Sequence, residues 1–302
     1  MQSFDFLFNS NFPWAMQGMV VAIVVAVVCS LLSVVVVLKR MSFVGQGVSH
    51  AGFGAAGLAF LVGLDAMDWR YDLLLYVFCI ATALTIGAIS RRRRVDADTA
   101  IGILLVAGMA LGVFLRNLSV SFQDPGGSMY WNWYAKEIAS DTQPVGFESL
   151  LFGSLLSTTP DQMTAAILVG VLVLIVFCAF FKEIIFYAFD EPTSRVFGVR
   201  SGMVHMILMG LLAVAVVMTM KLAGVLMVSA MLVIPGATAL LLSRRMGVVL
   251  ISSCALGVLG AAGGVIVSLE IGMTGPGPCI VAVLLVEFAF VYLLQSVRRR
   301  VR

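Results

Sequence analysis

The chain has 302 residues, of which 61% are hydrophobic and only 12% charged. A soluble globular protein carries roughly twice that charged fraction, so the composition excludes this class. Long apolar runs recur along the whole chain and predict an all-α polytopic membrane protein. The basic clusters flank these runs, so we expect no nucleic-acid partner. The five cysteines are scattered without CxxC spacing, which argues against a thiolate metal site.

Nine apolar segments are predicted to cross the bilayer, and the chain is expected to form one domain. They cover residues 16–38, 42–64, 71–90, 98–115, 163–181, 202–220, 222–242, 247–269 and 278–297. Nine crossings place the two termini on opposite sides, so the distribution of Lys and Arg decides the orientation. With the N-terminus outside, fifteen of the 19 cations lie in inner segments. The sequence therefore predicts an outer N-terminus and a cytoplasmic C-terminus.

The second predicted span carries polar residues in an apolar, glycine-rich setting. Gln46 and His50 are four residues apart and share one helix face, which Gly54 and Gly57 extend. If the helix begins near Met41, His50 lies ~15 Å into a ~30 Å hydrocarbon layer, close to its middle. A second row of small residues, typical of closely packed membrane helices, comprises Gly47, Ala51, Ala55 and Ala59.

Two interpretations of His50 are open: it either hydrogen-bonds a neighbouring helix or lines a translocation path. Glu287, about ten residues into the ninth span, is the only carboxylate predicted inside the membrane. Pro235 interrupts the seventh span and is expected to kink it. The sixth and seventh spans are expected to form a hairpin near Lys221. His205 is expected at the membrane interface, at the cytoplasmic end of the sixth span.

The predicted cytoplasmic loop 182–200 contains a short helix that crossing a bilayer does not require. Asp190 is a candidate N-cap, Pro192 suits a first turn, and Gly198 is a stop signal, so a helix is expected over 191–197. Such a helix suggests a docking partner. The candidate docking residues are Asp190, Glu191, Arg195, Val196, Phe197 and Gly198.

The region 116–161 is the only long polar segment and is predicted on the outer side. Its aromatic patch at 130–134 favours the membrane interface, so it forms either an interfacial hairpin or a docking surface. A short apolar helix is expected at 147–156. Pro160 is expected to open the fifth span, and Asp98 to cap the fourth.

Four stretches of the chain carry a resemblance to a known family. They are residues 40–51 (RMSFVG, then SHA), 98–103 (DTAIGI), 151–154 (LFGS) and 224–235 (GVLMVSA, then LVIP). On these motifs the chain resembles the membrane subunits of the ABC importers for zinc, manganese or iron. The resemblance runs from about residue 15 to 297.

The resemblance implies a type II ABC importer permease fold in a prokaryotic cytoplasmic membrane. Two copies of the chain would form the pore, two separate ATPase subunits would bind below, and an extracytoplasmic metal-binding protein would deliver cargo. The chain itself would hold no cofactor, and the divalent metal would be its transported substrate. The helix near 191–197 resembles the family's coupling helix.

One departure concerns position 46, where the family usually has aspartate and this chain has Gln46. An amide is a weaker metal ligand than a carboxylate, so His50 is the better candidate, with Glu287 as a further one. Three alternatives remain: an ABC permease for a chelated metal or other small cargo, an ion-driven secondary transporter, and an intramembrane enzyme. The absence of paired catalytic residues argues against the enzyme.

Overall fold

The computed structural model describes residues 13–64, 68–91, 96–123, 153, 155–271 and 275–301. Those residues form eleven α-helices and one 3₁₀ turn, Leu155–Ser157. In chain order the helices are α1 (Pro13–Leu38), α2 (Val44–Val62), α3 (Trp69–Arg91), α4 (Ala97–Gln123), α5 (Pro160–Ala179), α6 (Phe181–Phe189), α7 (Glu191–Val196), α8 (Ser201–Met231), α9 (Ile234–Leu242), α10 (Met246–Ile271) and α11 (Pro276–Val301).

Length and composition identify seven candidate membrane spans among the described residues. One of them, Ser201–Leu242, has 42 residues, about twice what a single crossing needs. Helix α2 is not among the seven, because its 19 residues include Gln46, His50 and five glycines. The prediction of about nine crossings is confirmed once Ser201–Leu242 is counted twice and α2 is added.

The segment Ser201–Leu242 counts twice because the chain reverses direction at Gly224. The backbone of Gly224 is non-helical (φ 83°, ψ 161°), which glycine adopts without steric cost. His205 lies beside Ser90 at the end of α3, whereas Lys221 forms an ion pair with Asp72 at the start of α3. Leu232 then packs against Gly45 at the start of α2. The predicted hairpin is therefore confirmed, with its turn three residues beyond Lys221.

The returning half of this hairpin is broken between α8 and α9, as Pro235 predicts. Leu232 and Val233 are turn residues, and Pro235 lies in the first turn of α9. The backbone N–H of Gly236 donates to the hydroxyl of Ser33 on α1 at 2.9 Å. A buried side chain of α1 thus satisfies a donor that the break leaves without a helical partner.

Helix α1 and the hairpin Ser201–Leu242 form the centre of the bundle. Their most apolar windows are 67% and 83% buried, against 22% for α4 and for α5. The outer helices expose large apolar side chains, such as Ile103 on α4 and Leu168 on α5. Those surfaces are built to contact lipid or another chain rather than water.

Helices α2 and α4 pack backbone against backbone through glycines on both sides. A Cβ at Gly108 would lie 2.8 Å from the Cα of Ala51, and one at Gly57 would lie 2.5 Å from the carbonyl oxygen of Gly112. No larger residue fits at these positions without moving a helix. The predicted close packing of the small-residue row on α2 is confirmed at Ala51, which lies against Gly108, whereas Gly102 of α4 faces open space.

The bounds of α4 differ from the predicted ones at both ends. Helix α4 begins at Ala97, so Asp98 lies in its first turn instead of capping it, and its last residue is Gln123 instead of residue 115. Pro160 opens α5 as expected, with Thr159 as the N-cap. Most of the region 116–161, including the aromatic patch and most of the apolar stretch 147–156, lies outside the described residues.

The bundle has two ends, which are named here by their residues. At the α7 end, α1 terminates and Lys39 contacts α7. The Asp72 end is the opposite one, where Lys221 pairs with Asp72.

Candidate functional site

Helix α2 presents one partly exposed polar side chain from an otherwise buried stretch. Every residue from position 47 to position 57 is buried except His50, which is half-buried. Gln46 is also half-buried, and Phe43, one turn earlier on the same side, is exposed. The structure therefore brings the two predicted site residues Gln46 and His50 onto one accessible stripe of α2.

One ring nitrogen of His50 has no hydrogen bond to the described residues. Its Nδ1 atom is buried and has no hydrogen-bonding partner among the residues that the structure describes. The ring stacks on Phe53 of the same helix, with centroids 5.5 Å apart. A histidine that served only to tie helices together would be expected to use both nitrogens. The free Nδ1 therefore favours a ligand-binding role.

Two expectations about the surroundings of His50 are corrected. Helix α2 begins at Val44 rather than near Met41, so His50 lies ~9 Å from its start, in the half nearer the α7 end. Gly54 and Gly57 do not line the stripe. They pack against Gly108 and Gly112 of α4, because the helix face they share with His50 meets α4 there.

Glu287 lies on a different pair of helices from His50. Its Oε2 atom is buried without a hydrogen-bonding partner among the described residues, and it faces Gly260 of α10. Helix α11 packs mainly on α10, α9 and α8, whereas α2 packs mainly on α4, α3 and α8. The structure does not assemble Glu287 and His50 into one site within a single chain.

The described part of the chain does not hold a complete metal cage. No group of three or more His, Cys, Asp or Glu side chains lies close enough there to bind an ion. His50 and Gln46 supply at most one imidazole and one amide per chain. Such a sparse, neutral donor set suits passing contact with an ion better than tight retention.

The short helix of the 182–200 loop forms as predicted, one residue shorter at its end. Asp190 is the N-cap of α7, accepting hydrogen bonds from the backbone N–H of Thr193 at 3.1 Å and from the Thr193 hydroxyl. These hydrogen bonds lower the pKa of Asp190. Pro192 occupies the first turn, and Gly198, with φ 85°, follows the helix.

Beyond its caps, α7 presents an apolar tip. Val196 is 84% exposed and Phe197 74% exposed. The Phe197 ring rests against Phe186 of α6, with centroids 5.8 Å apart. Two large apolar side chains held outward at the end of the bundle are typical of a docking surface.

The inner side of α7 is charged and paired. Glu191 forms ion pairs with Arg195 at 2.5 Å and with Lys39 at 3.2 Å. Partial burial raises the pKa of Glu191, but the hydrogen bonds and charges of Arg195 and Lys39 outweigh it, and the pKa is lowered overall. Arg195 also donates from Nε to the Ser201 hydroxyl at 2.8 Å, which joins α7 to the start of α8.

A buried polar cluster beside α7 was missed by the sequence analysis. His205 is buried inside the protein, and its Nδ1 shares a 2.9 Å hydrogen bond with the Tyr187 hydroxyl. Its Nε2 lies 3.5 Å from the Ser90 hydroxyl, and the ammonium of Lys39 sits 3.5 Å above the Tyr187 ring. Only the apolar surroundings of His205 in the sequence hinted at its burial.

The nine crossings, the hairpin at Gly224, the glycine-packed α2 and the capped helix α7 together define a multi-pass membrane permease. The comparison with family models identifies the family. Residues 11–296 match the ABC 3 transport family, and the chain belongs to that family. The permease fold is that of the type II ABC importers.

Curated relatives cover nearly the whole chain. The manganese transport system membrane protein MntC of Halalkalibacterium halodurans is 28% identical over 97% of this chain and 92% of its own length. The chelated iron transport system membrane protein YfeD of Yersinia pestis is 28% identical over 93% of this chain and 86% of its own.

A solved structure shows the same fold. PsaBC from Streptococcus pneumoniae, determined in complex with Fab, superposes with a TM-score of 0.75 at 26% identity. The match covers 96% of this chain and 94% of that one.

Proposed function

We infer that the whole chain, residues 1–302, acts as one permease domain that moves divalent metal ions into the cytoplasm. The observation that carries this is the half-buried His50 in the otherwise buried stretch 47–57 of a family member, with no partner for its Nδ1 among the described residues. An imidazole nitrogen without an intramolecular partner is available to a passing ion. Relatives named for manganese and for iron transport support a metal cargo.

Manganese is the first candidate cargo and zinc the second. Relatives named as manganese transport proteins cover almost all of this chain. Imidazole binds zinc well, while manganese favours oxygen ligands, which here come from the Gln46 amide. Neutral ligands in small number bind weakly, as a path requires, because an ion held tightly would not leave.

Two copies of the chain form the path in this proposal. One chain offers a single His50 and Gln46, and its described residues hold no group of three or more potential metal ligands. A second copy facing the first would double the donors around the ion. In mild detergent with its ATPase, the complex should contain two permease chains by mass measurement. A single permease chain per complex would contradict the proposal.

The tip of α7 binds a separate ATPase chain on the cytoplasmic side. Exposed Val196 and Phe197 supply the apolar contact, and Asp190, Glu191, Arg195 and Gly198 hold the helix in shape. The excess of Lys and Arg at the α7 end supports a cytoplasmic location of that end in a prokaryotic cell. An extracytoplasmic metal-binding protein then delivers cargo at the Asp72 end.

An ABC permease for a chelated metal is the second candidate function. The amide at Gln46 and the sparse ligands favour it, and a relative named for chelated iron is equally similar in sequence. A secondary transporter driven by ions has less support. The described chain separates His50 from Glu287 on different helix pairs, so it shows no continuous ionisable relay.

Metal uptake by the complete system tests the proposal. The chain is expressed with its ATPase and binding protein in a bacterial strain that lacks its own manganese and zinc importers. We expect manganese uptake that requires all three components and stops when a strong chelator is added. Uptake stimulated by the chelator would support the chelated cargo, and uptake without the ATPase would support an ion-driven transporter.

A further inference from the structure

The docking helix α7 is fastened to the bundle at both of its ends. At its start, Glu191 pairs with Lys39, whose side chain is only 13% exposed. At its end, Arg195 donates to Ser201, the first residue of α8. A helix of six residues held in this way moves together with the segments that it contacts.

Lys39 stands in the short connection between α1 and α2. Its ammonium contacts two groups at once, the Glu191 carboxylate at 3.2 Å and the face of the Tyr187 ring at 3.5 Å from the centroid. Both contacts are attractive, and the partial burial of Lys39 strengthens them relative to a fully hydrated surface pair. Lys39 is therefore held by α6 and α7 rather than by solvent.

Tyr187 continues this chain of contacts into the bundle. It is 4% exposed, and its hydroxyl bonds to His205 Nδ1 at 2.9 Å. His205 in turn lies 3.5 Å from the Ser90 hydroxyl on α3. Burial raises the pKa of Tyr187, which keeps the phenol protonated and able to hydrogen-bond.

The connection leads directly to the candidate site. Four residues separate Lys39 from Val44, where α2 begins, and α2 carries Gln46 and His50 on its first two turns. Backbone hydrogen bonds tie this connection back to α1, from Lys39 to Val35 and from Met41 to Val36. A displacement of Glu191 is therefore passed to a short, hydrogen-bonded turn rather than lost in a long loop.

We propose that Lys39 and Tyr187 are positioning residues that transmit displacement of α7 to the start of α2, and so to His50. This rests on the proposed function, in which α7 docks an ATPase and His50 contacts cargo. Neither residue touches the ion or the nucleotide. Their effect is on how much metal moves for each ATP hydrolysed.

The test reconstitutes the permease with its ATPase and its metal-binding protein in liposomes. Lys39→Met keeps an apolar side chain but loses the charge, which breaks the ion pair with Glu191. Glu191→Gln breaks this pair by removing the carboxylate. Arg244→Met is the matched control, since Arg244 is an exposed cation between α9 and α10. Copurified ATPase, basal ATP hydrolysis and metal transported per ATP are measured for each variant.

We expect Lys39→Met to retain the ATPase and basal hydrolysis. Glu191→Gln is judged only by metal transported per ATP, because Glu191 also pairs with Arg195 inside α7. Metal transported per ATP should fall about fivefold, which corresponds to ~1 kcal/mol of lost coupling. The double variant should fall no further than Glu191→Gln alone, because Glu191→Gln has already broken the link that Lys39→Met removes. Tyr187→Phe keeps the ring under Lys39 and removes the hydroxyl that interacts with His205 and Glu191, so a smaller loss is expected. Arg244→Met should match the wild type.

Unchanged metal per ATP in both Lys39→Met and Glu191→Gln would overturn the proposal. So would additive losses in the double variant, because independent effects exclude a shared link. If Lys39→Met fails to assemble, Glu191→Gln and Tyr187→Phe decide the outcome by the same ratio. A wild-type complex that neither binds an ATPase nor moves metal would instead refute the proposed function.

Discussion

Helices α7 and α2 each carry two side chains whose polarity differs from that of their surroundings. The contrast is opposite in the two helices. On α7 two apolar side chains, Val196 and Phe197, stand outside a charged and hydrogen-bonded base. On α2 two polar side chains, Gln46 and His50, stand in a helix that is otherwise buried among glycines and apolar residues. Each exception marks the place where the helix meets something the chain does not supply.

The difference lies in how each exception is supported. The tip of α7 is held by caps and ion pairs at Asp190, Glu191 and Arg195, so its shape survives without a partner. The buried Nδ1 of His50 has no hydrogen-bonding partner among the described residues, and in our proposal the transported ion is that partner. A preformed surface suits lasting association with a protein, whereas an unsatisfied ring suits brief contact with an ion.

Replacing the α7 tip with charge should have the largest effect. Val196→Asp combined with Phe197→Asp puts two carboxylates where a partner expects apolar contact. Loss of such central interface residues typically exceeds ~2 kcal/mol, or about 30-fold in affinity. We expect the ATPase no longer to copurify and metal uptake to fall to background, while the permease still inserts into the membrane.

The matched variant for this surface is Val196→Thr with Phe197→Tyr, which preserves shape. It should keep most of the ATPase bound. A tip carrying two aspartates that still copurifies with the ATPase and transports normally would contradict the docking role of α7.

Substitution of a glycine at the contact between α2 and α4 should have the next largest effect. A Cβ at Gly112 would collide with the Phe53 backbone, while one at Gly102 on the same helix meets open space. Gly112→Ala should destabilise the protein by ~1–3 kcal/mol, whereas Gly102→Ala should be neutral or stabilise by up to ~1 kcal/mol. Thermal denaturation in detergent compares the two variants, and equal melting temperatures would show that α2 and α4 do not pack this tightly.

A change of ligand at position 46 should have the smallest effect. Gln46→Asp places a carboxylate one turn from His50, and carboxylates favour manganese while imidazole favours zinc. The ratio of manganese to zinc uptake should rise by about three- to tenfold, the equivalent of ~1 kcal/mol. Gln46→Asn is the control because it keeps the amide. An unchanged ratio in Gln46→Asp would remove position 46 from the path.

Features set by local sequence were predictable. Helix α7 was located to within one residue because its signals, Asp190, Pro192 and Gly198, act within a single turn. The break before Pro235 followed from the missing backbone donor. The hairpin was placed near Lys221 from the length of the apolar run, although the turn itself required the positive φ of Gly224.

Features set by contacts between distant segments were not predictable. Helical periodicity placed Gly54 and Gly57 on the face of His50. It could not predict that α4 would cover that face at Gly54 and Gly57, the turns that follow His50. Likewise, the pairing of Tyr187 with His205 joins two helices across a loop that contains α7. His50 and Gln46 were found from spacing alone because they lie on one helix.

Uptake by two His50 variants tests the central claim most directly. His50→Ala removes the imidazole, and His50→Gln keeps a hydrogen-bonding side chain but loses most affinity for metal. With equal membrane insertion and equal ATPase copurification, both variants should lower manganese uptake at least ~10-fold, as loss of an interaction at a metal site typically does. Full uptake by His50→Gln would contradict the claim, because it would make His50 a packing residue and leave Glu287 as the next candidate.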